Sequence, residues 1–405
     1  MLHHLETEED IAQNLELMRK VYGETAGVDR LTKKLIDRHP TMTLQDFFVT
    51  KHNGKIVASI NLIPVVWSIG GIVLNVAEMG CVATLPEHRR QGLVRRLVNE
   101  FHKEVQKQGY DLSAIEGIPY FYRQFGYEYA LPLLEETKIR LPQIPDYGMA
   151  HVIRPFKTKD VPEAMHLLAE SQKKFYVHTV RGEQIWRMQH ETSIASDPEP
   201  FEACSVEKKG KMVAYFRMRE NPNDKELMVT EITDVDYDAA RSILRFLKDE
   251  GAKRGLATLV ALMSYQESFS EHMNALGAER RIPPYAWQVR ISDYVRIFQK
   301  LKPLFETRLA SSTYRGLTEE LNFNFRGFTI KIKVDDGLIE HVKRIEGGER
   351  SPIGINPLVF VQLLLGHRSR SELEMAFPDF RVDVSHKHMI DVLFPKSPSF
   401  IHSAY

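Results

Sequence analysis

The sequence predicts an α/β (α+β) protein: two mixed-sheet domains in tandem, residues 1–150 and 151–290, followed by an α+β domain over residues 291–405. Three observations predict it. A strand–turn–helix–strand unit lies between Val76 and Gly117, a weak copy of its surroundings recurs in the second third of the chain, and the pattern changes after Arg290.

In the first unit an apolar strand runs to Thr84, and Pro86 ends it because proline has no N–H to donate. The next turn carries Arg89, Arg90, Gln91 and Gly92. Val94, Leu97, Val98, Phe101 and Val105 then recur at helical spacing and make one buried stripe. Gly109 closes the helix, and Asp111 to Gly117 reads as the next strand. The first N–H groups of a helix lack intrahelical acceptors, and the macrodipole adds partial positive charge there. Gly92 lacks the Cβ that would hold a phosphate oxygen away from the backbone. The basic turn therefore reads as a cradle for a pyrophosphate.

The second third of the chain echoes the first with a period of about 150 residues. Asp10, Ile11, Leu15 and Met18 return as Asp160, Val161, Met165 and Leu168. Asn53-Gly54-Lys55 returns as Lys209-Gly210-Lys211, and Phe125-Gly126-Tyr127-Glu128 returns as Leu276-Gly277-Ala278-Glu279. At the place of the basic turn stands Thr233-Asp234-Val235-Asp236-Tyr237-Asp238, with no glycine and with carboxylates that would repel a pyrophosphate. The second copy is expected to keep the fold and to lack the cofactor.

After Arg290, Leu321, Phe323 and Phe325 alternate, as do Ile330, Ile332 and Val334, with Asp335-Asp336-Gly337 closing the second run. That is a meander of antiparallel strands. A helix is expected near Asn356 to Leu365 and another from Ser369. His386 and His388 would share one face of a strand, but no third ligand accompanies them, so no metal is expected. Lys331 and Lys333 read as the wet face of a sheet, and Trp186 and Trp287 as packing anchors.

Hydrophobic content of 43% and charged content of 27% are those of an ordinary globular protein. Lys+Arg and Asp+Glu both number 54, so no global charge draws the chain to nucleic acid or a membrane surface. Cys81 and Cys204 lie in apolar strand-like surroundings and read as structural thiols. The acidic first ten residues do not suit a secretion signal, and the apolar run Leu358 to Leu365 is too short to span a bilayer. The expectation is a cytoplasmic protein with no nucleic-acid partner and no membrane insertion.

The order strand, Arg-x-x-Gly-x-small, helix, glycine, strand, then Tyr122-Arg-Gln-Phe-Gly126-Tyr127, resembles the acetyl-CoA-binding core of the GNAT superfamily of N-acetyltransferases. Val94 stands where that family usually has glycine or alanine. The segments Leu358 to Gly366 and Leu393 to Lys396 resemble a sterol-carrier-like tail. Core, degenerate second copy and tail together resemble the Eis-like (enhanced intracellular survival) acetyltransferases. The resemblance implies acetyl-CoA as cosubstrate, held by Val82, Ala83 and Thr84, by Arg90, Gln91, Gly92, Leu93, Val94 and Arg95, and by Ile115 and Glu116. A splayed strand end suits the pantetheine amides, which would pair with it like an added strand.

By the same resemblance Tyr122 is the acid that protonates the departing thiolate, with Tyr120 the alternative if Ile118 to Phe121 shift the register. The base is the C-terminal carboxylate of the last residue, here Tyr405. The implied acceptor is a primary amine, aminoglycoside-like polyamines first and protein lysine side chains second. An acidic pocket would suit it, with Glu116, Glu128 and the aspartates of the second copy as candidates. A homo-oligomer, commonly a hexamer, is also implied. A different class of reading is a lipid-binding or scaffold protein that keeps a vestigial acetyltransferase core.

Overall fold

The computed structural model describes residues 2–133, 135–194, 200–221, 223–282, 286–347 and 351–405. The first third contains β1 (Leu2–His4), α1 (Glu8–Tyr22), α2 (Val28–Arg38), β2 (Phe47–His52), β3 (Lys55–Ile69), β4 (Ile72–Thr84), α3 (Leu93–Lys107), β5 (Leu112–Ile115), β6 (Glu128–Pro132) and β7 (Glu136–Arg140). The second contains β8 (Val152–Pro155), α4 (Val161–Gln172), β9 (Val177–Thr179), α5 (Glu183–Thr192), β10 (Glu202–Lys208), β11 (Lys211–Asn221) and β12 (Glu226–Ile232). It continues with α6 (Tyr237–Lys253), β13 (Thr258–Leu262), α7 (Ser268–Ala275), β14 (Glu279–Arg281) and β15 (Ala286–Ile291). The last part begins with α8 (Tyr294–Lys300), α9 (Lys302–Ala310), β16 (Glu319–Asn324), β17 (Phe328–Asp335), β18 (Leu338–Glu346) and β19 (Ile353–Gly354). It ends with α10 (Pro357–Leu364), α11 (Arg370–Ala376), β20 (Arg381–Val382), α12 (Val384–Leu393) and β21 (Ser399–Phe400).

Three sheets result. The first runs β1-β2-β3-β4-β5-β15-β6, with β9 also on β3 and β21 on β9; the second runs β14-β7-β13-β12-β11-β10-β8; the third runs β18-β17-β16-β19-β20. The first two share a plan: an antiparallel run, a parallel crossover pair (β4 with β5, β12 with β13), and a long helix in the crossover. The repeat seen in the sequence is therefore a repeat of structure. Its matched turns have matched backbones: Asn53 and Gly54 at φ 48° and 77°, Lys209 and Gly210 at 52° and 77°.

The sheets cut across the boundaries expected at residues 150 and 290. β7 inserts between β13 and β14 of the second sheet, and β15 inserts between β5 and β6 of the first. Each domain thus completes its sheet with a strand from the other. No local pattern could have announced this, because an alternating strand fits any sheet of matching face and register.

Helix α3 buries Leu93, Leu97, Val98, Phe101 and Val105 against the first sheet. Each such side chain contributes roughly 1.5–3 kcal/mol. Val94, expected in this stripe, is only partly buried and faces a cavity. The third domain has the expected meander, and Asn356 and Ser369 cap α10 and α11 with their side chains. His386 and His388 lie on helix α12 and not on a strand; the rise and twist of a helix turn residues two apart to different faces. His386 Nε2 is 3.1 Å from Glu319 Oε1, and the His388 ring packs 5.7 Å from that of Tyr314. Among the described residues no cluster could hold a metal ion, and no helix is long and apolar enough to cross a membrane.

Candidate active site

The site starts from a defect in pairing. Ser59 faces Ala83 and Asn61 faces Gly80, so a single residue of β3, Ile60, spans two of β4, Cys81 and Val82. Cys81 takes the extra place at φ 48°, a left-handed conformation that a β-bulge imposes. β4 bends at that point. Its parallel pairing with β5 covers only Val76, Ala77 and Glu78. Beyond them the two strands part, and a cavity of about 1180 Å³ opens at the split.

Of the residues that the resemblance implicates in cofactor binding, Val82, Ala83, Thr84, Arg90, Gly92, Leu93, Val94, Arg95, Ile115 and Glu116 line this one cavity. Gln91 does not; its side-chain amide turns back to the Glu87 carbonyl at 3.4 Å. Thr84 Oγ1 is buried and has no hydrogen-bond partner. The start of α3 is bare. Gly92 occupies the N-cap at φ 72°, makes no side-chain cap, and has open space where a Cβ would stand. Arg89 donates to the Thr84 carbonyl at 3.3 Å, and Arg95 reaches Gln124 Oε1 at 2.5 Å over the Phe125 ring. Arg90, at φ 60°, has no hydrogen-bond or ion-pair partner among the described residues. Unfilled N–H groups, a glycine and a spare guanidinium fit a pyrophosphate.

Tyr122 lies on the opposite wall, 5% exposed, within a cage of Phe121, Phe125 and Tyr127. Its ring presses on Gly117, where a Cβ would come within 2.2 Å of it, so residue 117 has no room for a side chain. Tyr120 is 72% exposed, and its backbone N–H donates to the Tyr129 hydroxyl. Tyr122 lines the cavity, and Tyr120 does not.

Tyr405 is brought to the same place by the chain end. β21 pairs in parallel with β9, which pairs with β3, so the tail joins the first sheet before entering the cavity. Second-domain side chains hold it. Thr179 Oγ1 donates to the His402 carbonyl at 2.7 Å, and Gln189 Nε2 donates to the Ser403 carbonyl at 3.1 Å. The phenol of Tyr405 donates to Glu78 Oε1 at 2.6 Å, and the main-chain oxygen of Tyr405 accepts from Ser403 Oγ.

Glu78 is the last residue of β4 paired with β5, and Glu116 follows β5 on the same face. Burial, then the charge of Glu116, pushes the Glu78 carboxyl up to about 8 against the bond from Tyr405. Glu116 lines the cavity and is exposed to it, and the protein packed around it raises its carboxyl to about 7. Raised carboxyls facing one cavity are of the kind that cluster at functional sites. Sequence reasoning missed Glu78. The available signal was a lone acid inside the apolar run Val76 to Gly80.

Glu128, Asp234 and Asp236 are engaged elsewhere, and Asp238 does not line the cavity. Glu128 is buried and paired with Arg123. Asp234 bonds Lys174 and Ser268, and Asp236 caps α6 by accepting from Ala239 N–H at 2.8 Å. The second domain instead lends the cavity Arg217, Arg219 and Glu231. Glu231, fully buried, is held between Arg181 at 2.8 Å and Arg217 at 3.3 Å, and these cations keep its carboxyl down at about 2 against its burial.

Residues 4–130 match the family model described as the acetyltransferase (GNAT) domain. The N-acetyltransferase Eis of Mycobacterium tuberculosis is 39% identical over 72 residues, a stretch that spans 17% of this chain and 17% of that relative. Solved structures share the fold over the full length. A probable N-acyltransferase from Enterococcus faecalis has a TM-score of 0.77 at 18% identity, covering 100% of this chain and 99% of its own. Eis1 from Mycobacterium abscessus has a TM-score of 0.67 at 15% identity, covering 100% of both chains. Residues 4–130 thus match a GNAT acetyltransferase domain, and the fold of the whole chain is similar to that of Eis1.

Proposed function

We propose that the protein is an acetyl-CoA-dependent N-acetyltransferase that moves the acetyl group directly to a primary amine. The observation that carries this reading is the convergence of the bare α3 N-terminus, the edge of β4 that β5 leaves beyond Glu78 and two tyrosines on one cavity. Acetyl-CoA supplies the reactive thioester. Arg90, Gly92 and the first N–H groups of α3 hold its pyrophosphate, and Val82 to Thr84 hold the pantetheine arm along the strand edge. Tyr122 donates the proton that the departing thiolate needs. The base is the α-carboxylate of Tyr405; a free α-carboxyl titrates at about 3.5, so it acts as a weak base directly or through water. Glu116 on the same face supports a path for the released proton. Aminoglycoside-like polyamines and protein lysines are the acceptor classes that the family resemblance suggests.

Calorimetry with acetyl-CoA and a thiol-release assay with amines test the reading. Micromolar binding together with amine-dependent thiol release is the expected result. Absence of coenzyme binding combined with uptake of a fluorescent lipid would instead make the chain a carrier with a relic core.

A further inference from the structure

The second sheet repeats the defect that opens the first site. Met218 faces Val229 while its neighbour Arg217 faces Glu231, so Thr230 is an extra residue of β12. The parallel pairing of β12 with β13 then stops at Val229 and Ala261. Beyond that point Thr230, Glu231 and Leu262 line the cavity already described, so the two strand splits open into one space. In the second copy the chain's own last residues run past the split. Phe400 packs into the second-domain core, and His402 is buried with its Nδ1 3.0 Å from Gln172 Nε2.

One amide couples this second split to the chain end. Glu231 is buried between Arg181 at 2.8 Å and Arg217 at 3.3 Å, and both guanidiniums also donate to Gln189 Oε1, at 2.8 Å and 3.0 Å. A guanidinium can only donate, so the end of the buried Gln189 amide that faces the two arginines must be its oxygen. Its NH2 is thereby turned the other way, where it donates to the Ser403 carbonyl at 3.1 Å. Arg181 Nη1 adds a longer contact to the same carbonyl at 3.4 Å. Thr179 Oγ1 donates to the preceding carbonyl, that of His402, at 2.7 Å. Two successive carbonyls are gripped just before Tyr405, and Glu78 accepts from the Tyr405 phenol beyond them. Chain ends ordinarily fray; this one is tied at three successive points short of or at its last residue. A buried ion cluster is a weak source of stability compared with apolar packing. What this one provides is direction, because it leaves the amide a single orientation.

Resting on the acetyl-transfer reading above, we propose that the strand split of the second copy has become a clamp for the chain end, and that Gln189, oriented by Arg181, Arg217 and Glu231, is the positioning residue for the Tyr405 α-carboxylate. The domain whose helix start is closed to a coenzyme thereby sets where the base stands. Displacing a reacting group by about 1 Å can cost roughly 100-fold in rate, so a hydrogen bond lost two residues from the chain end should appear in kcat.

Gln189→Glu tests this with a near-isosteric change in the full-length protein: an oxygen still faces the arginines, and the donor to Ser403 becomes a second oxygen. Two readouts separate the clamp from the chemistry. Carboxypeptidase A needs a free chain end, and its release of Tyr405 should quicken at least tenfold in the variant. Thiol release from acetyl-CoA with kanamycin, spermidine or a lysine-containing peptide should show kcat lowered at least tenfold, while coenzyme affinity by calorimetry stays within twofold. With two glycines added after Tyr405, Gln189→Glu should change kcat less than twofold, because the carboxylate that it positions has already been moved. Thr179→Val removes the neighbouring grip and should follow the same pattern with a smaller effect. Unchanged tyrosine release in both variants overturns the clamp. Faster release with unchanged kcat overturns the positioning role, and so does a full further loss in the extended protein, which would make Gln189 merely structural. If the wild type turns over no amine, the acetyl-transfer reading fails and the positioning role with it, while tyrosine release still decides the clamp.

Discussion

The two helices within the parallel crossovers, α3 and α6, begin in opposite ways. α3 starts at Gly92, in a left-handed conformation with no side-chain cap, and the turn before it carries Arg89 and Arg90. α6 starts at Asp236, whose carboxylate already accepts from Ala239 N–H. Both helix ends need an anion to satisfy their free N–H groups. The second domain supplies that anion from its own chain, whereas the first leaves the position open for a ligand. One duplicated fold thus carries two kinds of helix start: uncapped and basic in the first copy, as the proposed coenzyme site requires, and closed by its own carboxylate in the second. The second copy still works at the site, since Gln189 and Thr179 of the second domain hold the tail that carries Tyr405.

The strongest way to break this comparison is to reverse the charge of the turn. Arg90→Glu is expected to weaken acetyl-CoA binding at least 100-fold by calorimetry, whereas Asp234→Lys in the second copy should leave it within twofold. Equal effects would mean that the coenzyme does not distinguish the two helix ends. Chemistry without binding comes next. Tyr122→Phe should lower kcat more than tenfold with little change in coenzyme affinity, and residues added after Tyr405 should do the same. Turnover that survives the added residues would remove the chain end from the mechanism.

Two smaller effects sharpen the contrast. Asp236→Ala leaves the α6 N-terminus uncapped and should cost about 1 kcal/mol in denaturant unfolding. No loss would mean that the second copy does not depend on its cap. The Glu78 carboxyl is raised in the folded protein to about 8 from an ordinary 4.5. Between those values the folded state binds more protons than the unfolded one, so this group's contribution to stability falls as pH rises through that window. Glu78→Gln should flatten the slope, so variant and wild type diverge more at pH 9 than at pH 5. A constant difference between the two would show that Glu78 ionises freely.

Much of the first site could be read from residue order, because strand, basic turn and helix are contiguous and their chemistry is local. Glu78 could not. A carboxylate in an apolar strand is visible, but what it meets is Tyr405, which enters from the far end of the chain. Glu128 and the second-copy aspartates misled for the same reason: their partners Arg123, Lys174 and Ser268 had to be placed before their charges were seen to be spent.

By itself the sequence determined the first strand–turn–helix unit, the duplication, the C-terminal meander, the basic turn and its acidic counterpart, since periodicity, turn residues and helix-end electrostatics act over a few residues; the strand expected at His386 is helix α12. Tertiary structure alone decided the exchange of β7 and β15, the bulge at Cys81 that opens β4 from β5, and the arrival of the tail between two domains. Those depend on pairing register and on faces buried together across hundreds of residues, which short-range pattern does not encode.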